Sequence, residues 1–311
     1  MTEERGYTFV DYCTQAYLAV VGLIVLCLHG QAIPNWPLLL ATHIAGMGAI
    51  HMLIRFQARR PDLGLLDFVR YFYPVLLYGP FYCETGLLNH VLFPGFLDPF
   101  FIRLEARIFG LQPSVAFMDR LPYPAVSELL YAAYFSYYVM IGTVGGVLFF
   151  RNRERFFHFV SVASFVFYVC YLIYIFLPVI GPRIFFRQFG DYPLPAEAWP
   201  SVAPSFPAAV QAGPFYHLMA WIYERFEAPG AAFPSSHVAI AITTVYFSFL
   251  YLRPIRWWHF AAMILLCTAT VYCRYHYAVD VAGGVLTAAV LIPLGNRLYF
   301  KFQARPQIAR S

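Results

Sequence analysis

The sequence predicts an all-α protein, a polytopic membrane helix bundle of about eight spans. Three observations carry this. Of 311 residues, 60% are hydrophobic and only 12% charged, about half the charge of a soluble domain. The apolar residues gather into runs of about 20, the length that crosses a bilayer core. Most Arg and Lys fall between those runs, and the net charge of +5 is too diffuse for nucleic acid.

In chain order, the polar start Met1-Thr2-Glu3-Glu4-Arg5 leads into an apolar stretch without a small-x-small cleavage site, so no cleavable signal peptide is expected. Helices are expected near 12–30, 37–54, 64–92, 124–150, 156–178, 234–252, 258–274 and 277–297. Asp67, Arg70, Pro74 and Pro80 interrupt the third, which fits either one kinked helix or two pieces. Residues 94–121 mix charges with aromatics, the pattern of a helix lying in the interface. Residues 181–233, with Pro193, Pro195, Pro200, Pro204, Pro207 and Pro214, read as a non-spanning cap over the site. The resulting organisation is 1–122 N-terminal helices and interfacial segment, 123–300 catalytic core carrying the 181–233 cap, and a 301–311 tail.

Orientation follows the basic residues. Arg55, Arg59 and Arg60, then Arg151, Arg153 and Arg155, then Arg253 and Arg256, and the tail from Arg297 all alternate to one face. That face is expected to be cytoplasmic, with both termini, in an integral protein of the cytoplasmic (inner) membrane.

 The 94–121 segment and the 181–233 cap fall on the opposite, non-cytoplasmic face, together with His237 and His276 at the openings of the sixth and eighth helices. The six cysteines show no CxxC spacing and read as buried free thiols.

Two polar constellations stand out in the last hundred residues: Phe233-Pro234-Ser235-Ser236-His237 and Arg274-Tyr275-His276-Tyr277-Ala278-Val279-Asp280. Ionisable groups are costly in a membrane segment and mark function or pairing. Ser235 or Ser236 can cap the helix that opens at His237, and a helix N-terminus attracts phosphate. The plain alternative is a cap with an incidental His. His276 and Asp280 lie four apart, where a carboxylate can fix one imidazole nitrogen and leave the other as nucleophile or base. A pair that only holds helices together is the rival reading. A zinc site would need further ligands, and none is evident; neither metal nor cofactor is expected.

These residues resemble the second and third signature motifs of the type 2 phosphatidic acid phosphatase superfamily. The resemblance implies a six-helix core and metal-independent transfer through a phosphohistidine. It makes His276 the nucleophile, Asp280 its orienting partner and His237 the general acid, with Ser235, Ser236 and nearby backbone N–H groups holding phosphoryl oxygens. Two departures bear on the substrate. The phosphatases carry Arg six residues before the nucleophile, where this chain has Thr270 and offers Arg274 instead. Their first motif is missing, since Arg253-Pro254 falls on the cytoplasmic face. Arg183, in Gly181-Pro182-Arg183 with Arg187 behind it, is the candidate second phosphate-binding cation, its rival reading being a simple interfacial charge. Thr270, the His-Tyr-x-Val-Asp pattern and Asp98…Glu105…Phe109-Gly110…Pro113 resemble the inositolphosphotransferase branch, that of the inositol phosphorylceramide synthases.

Glu128, inside the fourth span, is a candidate substrate or acceptor contact, with Glu84 and His90 as weaker ones. The expected activity is transfer or hydrolysis of the phosphate of a phosphorylated lipid, with water or an alcohol as acceptor. A transporter using the two His and Asp280 as a proton relay is the reading from a different class.

Overall fold

The computed structural model describes residues 6–30, 33, 35–60, 63–189 and 206–303. Thirteen helices occur among the described residues: α1 (Phe9–Leu28), α2 (Trp36–Arg59), α3 (Gly64–Leu88), α4 (Asp98–Phe109), α5 (Pro113–Arg120), α6 (Pro124–Arg151), α7 (Arg153–Phe176), α8 (Pro182–Gln188), α9 (Ala208–Gln211), α10 (Pro214–Phe226), α11 (Ser236–Tyr251), α12 (Arg256–Tyr272) and α13 (Ala278–Gln303). α1, α2, α6, α7 and α13 are long and apolar enough to cross a membrane. The other three expected segments are helices too, but α11 and α12 have 16 and 17 residues and α3 carries charge.

The third segment is one helix of 25 residues that runs through Pro74 and Pro80. Each ionisable group in it meets a partner from α1 or α2, which offsets the cost of placing charge there. Arg70 pairs with Asp11, which also accepts from Tyr73 Oη at 2.5 Å. Gln57 donates to Asp67 at 3.1 Å, and His43 Nε2 lies 3.3 Å from Glu84.

α7 is the central helix, packed against α1, α3, α6, α11 and α13. Its burial on most sides explains why its sequence shows no polar face, with residues such as Phe159, Val162, Val166, Cys170 and Tyr174 all inside. α13 crosses α11 closely because of a glycine. A Cβ on Gly284 would lie 2.6 Å from the Ser235 carbonyl oxygen and 2.9 Å from Val238 Cβ. A small residue at this contact lets two helix backbones approach, as is common in membrane bundles.

The 94–121 segment departs from the simple interfacial helix expected. It forms two helices, and α4 turns acidic groups inward: Asp98 and Glu105 are fully buried while Arg103, Arg107, Ile108 and Phe109 face outward. The cap contributes α8, α9 and α10; its residues Pro193, Pro195, Pro200 and Pro204 lie outside the described residues, as does most of the 301–311 tail. All six cysteines are free, but Cys27 and Cys83 are exposed rather than buried.

Candidate active site

Three loops meet at one end of the bundle: 177–181 after α7, 227–235 before α11, and 273–277 before α13. Backbone hydrogen bonds lace them together. Val179 donates to Gly230 and accepts from Ala232, at 3.2 and 2.8 Å. Arg183 N–H donates to the Arg274 carbonyl at 2.8 Å, and Ser235 N–H to the Asp280 carbonyl at 3.1 Å. Gly181 is required at this junction. Its φ is +88°, and a Cβ there would lie 2.7 Å from the Tyr275 carbonyl oxygen.

α4 braces the same junction from outside. The Asp98 carboxylate accepts from the N–H groups of Ile180 and Gly181, at 2.8 and 2.9 Å, and from Tyr277 Oη at 2.8 Å. Glu105, two turns on, accepts from Val279 N–H at 3.2 Å at the start of α13. Burial pushes the Asp98 carboxyl up to about 7 and that of Glu105 to about 8, while the donated hydrogen bonds pull both down. Sequence reasoning placed neither residue in the site. Their seven-residue spacing, which puts both on one helix face, is the signal that could have done so.

The two histidines come together, with ring centroids 5.7 Å apart in an edge-on arrangement. His276 does not open α13 but precedes it, in the loop. Its Nδ1 lies 2.9 Å from the Ala232 carbonyl and 3.4 Å from Asp280 Oδ2. A carbonyl can only accept, so Nδ1 carries the proton and Nε2 keeps its lone pair. Asp280 is thus near the ring, but its Oδ2 accepts from Tyr277 N–H at 2.8 Å and so also caps the turn into α13. Burial pulls His276 down to about 4, against the Ala232 contact, so the ring is neutral at ordinary pH. His237 sits between aromatic rings, 4.6 Å from Tyr137 and 5.0 Å from Tyr134.

Ser235 caps α11, accepting from Val238 N–H at 3.3 Å. Ser236 N–H donates to Tyr174 Oη at 3.1 Å, and that hydroxyl donates on to the Pro234 carbonyl at 2.9 Å. Two of the first-turn N–H groups expected to hold phosphate are therefore occupied by the protein. The Tyr174 strut was not anticipated from sequence, where Tyr174 is one aromatic among many in an apolar run.

The remaining candidates divide. Arg183 pairs with Glu227, and its guanidinium lies over the rings of Tyr223 and Tyr275, at 5.0 and 5.2 Å. A cavity of about 80 Å³ opens beside it, with Arg187, Tyr131 and Glu224 on its wall. Arg274 is 1% exposed, has a φ of +60°, and reaches Asp119 of α5 at 3.2 Å. Glu128 accepts from the N–H groups of Phe215 and Tyr216, at 2.8 and 3.3 Å, and so caps α10. Glu84 lies with His43 among α1, α2 and α3, and His90 Nδ1 is 3.2 Å from the Phe93 carbonyl. Among the described residues, no group of three or more His, Cys, Asp or Glu side chains is placed to hold a metal ion.

The structure is thus a bundle of membrane-length helices with two facing histidines at one end, one of them held by its Nδ1. The model of the PAP2 superfamily matches residues 100–294, well over half of the chain, and the chain belongs to that superfamily. No curated protein and no solved structure matches it.

Proposed function

We propose that this protein transfers or hydrolyses the phosphate of a membrane lipid through a phosphohistidine on His276. The observation that carries the reading is the orientation of His276: Nδ1 is committed to the Ala232 carbonyl, and the ring edge faces His237. His276 Nε2 attacks phosphorus, forming the N–P bond as the bond to the leaving alcohol oxygen breaks. His237 gives a proton to that oxygen. In the second half an acceptor oxygen attacks phosphorus, the N–P bond breaks, and His237 takes the acceptor's proton. Asp280 stabilises the ring as it gains charge, at 3.4 Å. Arg183, already held over two aromatic rings, offers charge to the phosphoryl oxygens.

Arg274 and Glu128 serve this reading as positioning residues, the first joining the His276 loop to α5 and the second seating α10 of the cap. The acceptor is water for a phosphatase and an alcohol for a transferase; Thr270 and the His-Tyr-x-Val-Asp pattern favour a transferase of inositolphosphotransferase type.

Purified protein incubated with labelled phospholipids, with and without inositol and other alcohols, should release free phosphate or form a new phospho-product. His276→Ala should abolish either product while the protein still folds, and His237→Ala should lower kcat by about 10²–10⁴-fold. Turnover should survive a chelator. Full activity of the folded His276→Ala protein would end the nucleophile assignment, and silence of the wild type towards every lipid would reopen the transporter reading.

A further inference from the structure

A cavity larger than the one beside Arg183 lies away from the histidines. It has a volume of about 860 Å³ and lies among α1, α2 and α3, in residues before the stretch that the superfamily model matches. Leu18, Ile50, Leu77 and Phe81 form part of its apolar wall. Leu76 and Leu87 line its mouth and are 66% and 65% exposed, so it opens sideways between α2 and α3 to the lipid. Its wall runs along α3 from Val69 to Glu84. Fifteen residues of helix rise roughly 22 Å, more than half of the hydrocarbon thickness and enough for one acyl chain.

One end of this apolar cavity is polar. His43 is 4% exposed, and its Nδ1 lies 2.9 Å from the Leu39 carbonyl, which fixes the proton on Nδ1. Its Nε2 is buried without a hydrogen-bond partner in good geometry and faces Glu84 Oε1 at 3.3 Å. The second carboxyl oxygen of Glu84 is left to meet whatever fills the cavity. A hydrocarbon tail against it would leave polar atoms unsatisfied. A phosphate head would set a negative charge beside the Glu84 carboxyl in an apolar cavity, and a quaternary ammonium head has no N–H to donate. An uncharged hydroxyl can donate to Glu84 and satisfy both demands.

We propose that this cavity binds a neutral lipid with a free hydroxyl head, its hydroxyl on the His43–Glu84 pair and its chain along α3 towards Val69. The site is independent of the chemistry proposed for His276 and needs no turnover.

The test uses the full chain reconstituted in phosphatidylcholine, with photoactivatable diacylglycerol as the probe and photoactivatable phosphatidylcholine as the comparison. Crosslinked peptides are mapped after illumination. Diacylglycerol should label peptides of α2 and α3 in preference to phosphatidylcholine. Glu84→Ala, which removes the acceptor, should lower that labelling by about tenfold, the effect of one lost hydrogen bond in a buried site. Ala49→Phe, a change at an exposed position of the cavity wall, should block labelling without touching the polar pair. Equal labelling by the two probes would mean that bulk lipid fills the cavity and would overturn the proposal. So would undiminished labelling in Ala49→Phe, or diacylglycerol labelling confined to the loops around His276.

Discussion

His276 is held at Nδ1 by a backbone carbonyl rather than chiefly by a carboxylate, which fixes its tautomer without needing a nearby charge. Because burial pulls this ring down to about 4, Nε2 keeps its lone pair at neutral pH. Protonation below that value removes the nucleophile, so kcat/KM should fall on an acid limb near 4 and stay level above it on this group's account. A pH–rate profile checks this, and a limb at 6.5, the ordinary value of histidine, would contradict it. Asp98 is the second residue whose chemistry matters, since it takes three hydrogen bonds from two site loops. Asp98→Asn turns an amide N–H₂ towards at least one donor and should cost about 1–3 kcal/mol. Tyr277→Phe removes only one of the three and should cost less. Thermal unfolding of both variants, with kcat measured alongside, decides the order. The histidines and Asp280 were legible because their side chains carry the chemistry in the letters themselves. The Ala232 carbonyl was not, because a backbone acceptor leaves no mark on residue type.

Among the elements, the crossing of α11 and α13 sets the spacing of the two histidines, since each lies at or beside the start of one helix. Gly284→Val would drive side-chain carbons into Ser235 and Val238, and the helices would have to part. Loss of most activity is expected, with a stability loss of about 1–3 kcal/mol typical of overpacking; activity assays and unfolding curves test it. The long apolar helices were readable from hydropathy. The amphipathic spacing of α4 tells which residues share a face but not that its acidic face meets protein. Arg274 and Glu128 show the same limit of pattern: nothing in their sequence surroundings reveals that they reach Asp119 of α5 and the first N–H groups of α10.

For the whole molecule, Arg59 and Arg60 at the end of α2 and the basic joins of α6 to α7 and α11 to α12 share one end of the bundle with the C-terminal end of α13, opposite the end that holds the histidines. We propose that this basic end is cytoplasmic and the site end is not. A tag after the last residue should then be reached by a membrane-impermeant reagent only after the cells are opened; labelling of intact cells would reverse the orientation.

The sequence by itself determined the helical membrane class, the approximate segments and the two histidine motifs, because hydropathy and ionisable side chains are properties of single residues and short spacings. Only the tertiary structure decided what orients His276, that α4 braces the site, and that a separate cavity lies among α1, α2 and α3. Each of these depends on which surfaces meet across long stretches of chain, through backbone groups and buried faces that local pattern does not encode.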